Sequence, residues 1–149
     1  MNYPQPEFAS IEDGRDLGYR NWGKEVLLHF KQDGYLIKYI YIKKGHHGGL
    51  QYHRLKDESG FLVSGGLCIE YIDSHGRIET KICSPGDSYR FPSGCIHRVI
   101  AVEDSVVIEA STAHFNDRVR MEKEFNLSGF ESGLPTISLD DIQTTPPSI

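Results

Sequence analysis

The chain predicts an all-β fold, an antiparallel jelly roll, and three observations carry that expectation. Short runs rich in Val, Ile, Leu, Tyr and Phe recur along it, many alternating apolar with polar residues. Gly, Pro, Asp and Ser punctuate those runs at regular intervals, where tight turns need them. Almost no 3.6-residue period occurs before residue 114, which leaves strands stacked on strands as the way to bury the apolar side chains. At 149 residues the chain has one domain's length, ample for a β-sandwich core.

Residues 1–20 read as an N-terminal arm, because Pro4, Pro6, Gly14 and Gly18 break any period. Such an arm is expected to be loose or to pair with a sheet edge of a partner subunit. Residues 21–126 form the expected domain. Its first clear strands are 24–30 and 36–43, joined by a hairpin turn at Gln32, Asp33 and Gly34. In the second strand Lys38, Ile40 and Ile42 share one face, and Ile37, Tyr39, Tyr41 and Lys43 the other. A Lys on an otherwise apolar face is either a snorkelling surface residue or a substrate contact.

A Gly-rich loop carrying His46 and His47 comes next. Residues 61–64, 67–72, 78–83 and 88–91 read as further short strands, with a hairpin turn at Asp73, Ser74, His75 and Gly76. Strands 96–102 and 105–111 are joined through Glu103 and Asp104. Residues 116–125 are charged and mildly amphipathic, fitting a short helix or an irregular cap. Residues 127–149, rich in Ser, Gly, Pro and Thr, are expected to be a flexible C-terminal tail.

The net charge of −5 and the lack of a basic run argue against nucleic acid or an anionic membrane as partner. No apolar stretch is long enough to span a bilayer, and the N-terminus lacks the basic and apolar regions of a signal peptide. Cys68, Cys83 and Cys95 are odd in number and sit in apolar, strand-like contexts, as reduced thiols of a cytoplasmic protein would.

The chemistry concentrates between Gly45 and Gly65. Gln51 and His53 lie two apart, so on a strand they project from one face, and Glu58 on the returning strand points back at them. An amide oxygen, an imidazole and a carboxylate form a mixed N/O set that suits zinc or another first-row divalent ion. His97, beyond a Pro92 and Gly94 turn, is the available fourth ligand.

These two stretches resemble the two cupin motifs, G-x5-H-x-H-x3-4-E-x6-G and G-x5-P-x-G-x2-H-x3-N. Gly45, His53, Glu58 and Gly65 fill the first, with Gln51 in place of its first His. Gly86, Pro92, Gly94 and His97 fill the second, with Ala101 in place of Asn. The resemblance implies a cupin double-stranded β-helix, the jelly-roll barrel. The Gln-x-His pair, Trp22-Gly23, Gly34 to Lys38, and Glu109 to Thr112 followed by Asp117 to Glu122 are similar to the short single-domain cupin type of mannose-6-phosphate isomerase. That likeness covers roughly residues 20–126. Ser59 and Gly60 stand where the family has an aromatic-flanked His, and Lys56 where it has Arg, so the departures lie beside the metal.

The resemblance implies a metal-dependent aldose–ketose isomerase acting on a sugar or sugar phosphate, with a divalent ion (zinc, or nickel, cobalt, manganese or iron) on Gln51, His53, Glu58 and His97. It also implies a homodimer. Isomerisation needs a base to move a proton between adjacent carbons and a cation to hold the developing oxyanion. The base is Glu58, doubling as ligand, or Lys56 or Lys38 if burial lowers its pKa. Arg54, Arg90, Arg98 and Arg120 are the cations available for a phosphate. Two other readings remain: an iron-dependent cupin dioxygenase, and an accessory cupin that binds a saccharide or metal without turnover.

Overall fold

The computed structural model describes residues 2–128 and 133–147. Eleven strands appear among them: β1 (Arg15–Arg20), β2 (Gly23–Phe30), β3 (Tyr35–Ile42), β4 (Gln51–Tyr52), β5 (Glu58–Ser64), β6 (Leu67–Ile72), β7 (Ile78–Cys83), β8 (Ser88–Phe91), β9 (His97–Ala101), β10 (Ser105–Thr112) and β11 (Val119–Arg120). All pair antiparallel, in two sheets of order β1-β2-β3-β10-β5-β8 and β11-β4-β9-β6-β7. The expected jelly roll is the observed fold.

The core forms where the inner faces of the two sheets meet. Ile40, Leu62, Phe91 and Val107 come from the first sheet, and Leu67, Ile69 and Ala101 from the second. Alternation along β3 and β10 works as the sequence implies: Leu36, Lys38 and Ile40 point inward, as do Ser105, Val107, Glu109 and Ser111. Tyr39 and Tyr41 lie on the opposite, outward face. Gly65 turns β5 into β6 at φ 94°, and a Cβ there would overlap the Asp104 carbonyl and Ser105 Oγ, so only glycine fits.

Three local expectations are refined. Residues 15–20 of the arm form β1, which pairs with β2 of the same chain. Residues 116–125 hold the short strand β11 and turns, not a helix. Of the segment expected as a tail, residues 129–132, 148 and 149 lie outside the described residues. Residues 133–147 are draped beside β11: the Ile137 amide donates to the Arg118 carbonyl, and the Phe115 amide to that of Gln143. Leu139–Asp141 makes one 3-10 turn. Among the described residues, no helix is long and apolar enough to cross a membrane.

Candidate metal centre

Three side chains expected as ligands converge inside the barrel. His53, Glu58 and His97 are all buried, and one ligand atom from each lies within 4.8 Å of the others. His53 Nε2 is 3.3 Å and His97 Nε2 3.4 Å from the same Glu58 oxygen, Oε1. Donors held at about 2.1 Å from one ion stand about 3.4 Å apart in a tetrahedron and about 3.0 Å apart at an octahedral edge, so the spacing fits. Gln51 pairs directly with His97 across β4 and β9, which puts both side chains on one face, and both Gln51 and His53 line the cavity above the cluster.

The histidines are aimed from behind. His53 Nδ1 donates to the Asp117 carbonyl, and His97 Nδ1 donates to the Cys95 carbonyl at 3.0 Å. A carbonyl only accepts, so each Nδ1 carries its proton and each Nε2 faces Glu58, the arrangement a metal-ligating imidazole needs. Phe91 stacks on His97 at 3.7 Å between ring centroids and fixes its plane. Asp117 is also buried, and its carboxylate accepts the amides of Arg54, Leu55 and Lys56, closing the loop that carries His53 into β5. Burial alone would raise the Asp117 pKa, but those three amide bonds outweigh it and hold it below the ordinary range.

Glu58 uses its second oxygen elsewhere: Lys56 Nζ lies 2.7 Å from Oε2. Burial works against the Glu58 charge, yet the Lys56 ammonium and both histidines hold its pKa well below normal. The His97 pKa is lowered by burial but raised further by its bonds to Cys95 and Glu58, so protonation of Nε2 competes with a metal at this site.

A base role for Lys56 was expected only if burial lowers its pKa, and the surroundings act the other way. Desolvation pulls its pKa down, but Glu109 and Glu58 outweigh that and carry it well above the ordinary lysine value. The ammonium stays charged. Lys38 is buried on the same inner face, 3.8 Å from Glu109 Oε2 and 5.9 Å from the Phe115 ring centre. Glu109 itself is pushed up to about 7, by burial first and by the Glu58 charge, with Lys56 and Lys38 only partly offsetting.

A cavity of about 760 Å³ rises from this cluster to the barrel mouth. Its upper wall carries Trp22, stacked on His46 at 5.3 Å, with His47 beside it. Burial first, then the neighbouring His47, lowers the His46 pKa. Of the four arginines expected to meet a phosphate, Arg98 and Arg120 line the cavity. Each is tied to an acid, Arg98 to Glu70 and Arg120 to Glu122, at 2.5 Å.

Arg54 and Arg90 do not line the cavity, which corrects that expectation. The Arg54 guanidinium donates to the Ile137 carbonyl of the draped segment. Arg90 sits one residue before inward-facing Phe91, so it points outward and forms a two-pronged bond to Asp57. Glu109 and Tyr89 are site residues that the sequence reading did not single out. The signal for Glu109 was a charged residue on the inward face it shares with Val107.

Residues 38–111 match the family described as Cupin domain. No curated protein matches the chain. Among solved structures, KdgF from Halomonas sp. is 21% identical with a TM-score of 0.61, over 72% of this chain and 93% of that one. An RmlC-like cupin from Shewanella frigidimarina is 20% identical with a TM-score of 0.60, over 72% and 90%. The capsular polysaccharide assembling protein CapF from Staphylococcus aureus is 20% identical with a TM-score of 0.61, over 69% of this chain. The chain spans only 33% of CapF.

Proposed function

On the premise that the chain folds as a cupin and carries a cupin domain over residues 38–111, we propose that it is a metal-dependent aldose–ketose isomerase of the mannose-6-phosphate isomerase type. The observation that carries this reading is the convergence of two inward-facing Nε2 atoms on one oxygen of Glu58, at the floor of a cavity large enough for a hexose. His53, Glu58 and His97, joined by Gln51, would hold a divalent ion, which would supply Lewis-acid polarisation of a carbonyl and its neighbouring hydroxyl.

The chain's own groups do the rest. Lys56, charged and buried, fixes the Glu58 carboxylate through Oε2 and places a positive charge where an oxyanion develops. Glu109, one strand over, presents a carboxylate to the same space and moves the proton between adjacent carbons. Arg98 and Arg120, both lining the cavity, bring the positive charge that would receive an anionic end of the sugar.

A second reading, a cupin that binds a saccharide without turnover, is favoured by one contact: the Lys56 ammonium occupies an oxygen of Glu58 that an ion would otherwise share. One experiment separates the two. Metal analysis of the purified chain is paired with turnover assays on phosphorylated and free aldoses, before and after chelation. Turnover that chelation abolishes and metal restores supports the isomerase; bound metal with no turnover on any aldose supports the binding protein and sinks the enzyme.

A further inference from the structure

One polar gap beside the metal cluster is left unfilled. Lys38, Glu109, Gly60 and Tyr89 lie directly opposite one another on β3, β10, β5 and β8, a single inward-facing row across the first sheet. In that row Glu109 Oε2 is sealed from solvent and accepts no hydrogen bond among the described residues. Two ammonium groups flank it, Lys56 Nζ at 3.6 Å and Lys38 Nζ at 3.8 Å, both outside hydrogen-bond reach. The side chains of Lys38, Lys56 and Glu109 are only 6%, 9% and 12% exposed. Buried acceptors and donors held apart in this way are costly unless a third group joins them.

We propose that this gap is a hydroxyl subsite, in which a substrate hydroxyl donates to Glu109 Oε2 and accepts from the Lys38 and Lys56 ammonium groups. A hydroxyl complements this carboxyl in either protonation state, donating to the carboxylate or accepting from the carboxylic acid. It also offers lone pairs to the lysines. A carboxylate supplies no donor and meets the Glu58 and Glu109 carboxylates at close range. Gly60 gives the Tyr89 side chain its place in this row, since a Cβ there would overlap the ring and hydroxyl.

The inference rests on the isomerase reading and narrows its substrate. Lys56 touches both the gap and Glu58, so the subsite holds a hydroxyl next to whichever atom approaches the metal. The ligand class is therefore a polyol or sugar with a vicinal pair of oxygens.

The test is calorimetric titration of the metal-loaded full chain with D-glucitol, a polyol that cannot isomerise. Parallel titrations use D-gluconate and a set of monodeoxy hexitols. D-glucitol is expected to bind the wild-type chain, and Glu109→Gln and Lys38→Met are each expected to weaken it at least ~10-fold with metal content and β circular dichroism unchanged. One monodeoxy hexitol is expected to show the same loss on the wild-type chain, an arm that needs no variant. No D-glucitol binding by the wild type, or equal binding of all hexitols and by both variants, overturns the subsite. So does D-gluconate binding that tightens in Glu109→Gln, which would make the gap an anion site. Hexitol discrimination with no turnover of any aldose keeps the subsite and removes the isomerase reading.

Discussion

Lys56 and Glu58, two residues apart in sequence, are joined by a 2.7 Å contact from Nζ to Oε2, while the other oxygen of the same carboxylate faces His53 and His97. Glu58 thus holds a buried cation on one side and a metal-type donor set on the other.

Lys56→Met separates those two duties. Removing the ammonium leaves Glu58 and Glu109 buried without their partner, and the metal-free protein is expected to lose roughly 3–5 kcal/mol. Metal affinity is expected to rise, because a competing positive charge is gone. Thermal unfolding with and without chelator, together with a metal competition titration, reads both effects; an affinity that falls would show that Lys56 orients Glu58 for the ion instead of competing with it.

His97→Ala removes one of the two Nε2 donors while leaving the β9 backbone pairs with β6 intact. Metal is expected to bind at least ~10-fold more weakly, since even losing a partner behind a ligand costs that much, and the β circular dichroism is expected to persist. A full metal complement in this variant would show that the ligand set is wrong.

Asp117 sets an acid limit on stability. Its folded pKa lies below the ordinary value of 3.8. Its contribution is therefore complete above about pH 4 and is lost as pH falls through the lower, folded value. Asp117→Asn is expected to be about 1–3 kcal/mol less stable at neutral pH and to show a shallower loss of stability toward low pH. Urea midpoints of both proteins across that range decide it, and parallel curves would remove Asp117 from the account.

Gly60→Ala places a methyl group against Tyr89. Displacing the ring is expected to cost about 1–3 kcal/mol through overpacking. Because Gly60 pairs with both Glu109 and Tyr89, the change also disturbs the proposed hydroxyl subsite more than the metal cluster. A variant with unaltered melting temperature would show that Tyr89 has room to move.

The parts of the site legible in the sequence were those fixed by short spacing. Gln51 and His53 two apart, Glu58 past one loop, and His97 after a Pro and Gly turn sit on neighbouring segments whose alternation dictates direction. Glu109 and Tyr89 depended on cross-strand register instead. Lys38, Glu109, Gly60 and Tyr89 meet only once β3, β10, β5 and β8 have aligned, and no local pattern encodes that alignment. Arg90 was readable in principle, because Phe91 beside it points inward. Arg54 was not, since its partner is a main-chain carbonyl of a segment that lacks periodicity.

That segment forms part of the cavity's rim. Arg54, Arg118 and Arg120 donate to the carbonyls of Ile137, Pro135 and Leu134, and Leu134 lines the cavity. Carbonyls are common to every residue type, so apart from Thr136, whose hydroxyl accepts the Arg120 amide, these ties do not depend on which side chains the strap displays. Residues 133–137 are accordingly a place where sequence drift or loop grafting can remodel ligand selectivity while the barrel and its ligating cluster are inherited unchanged.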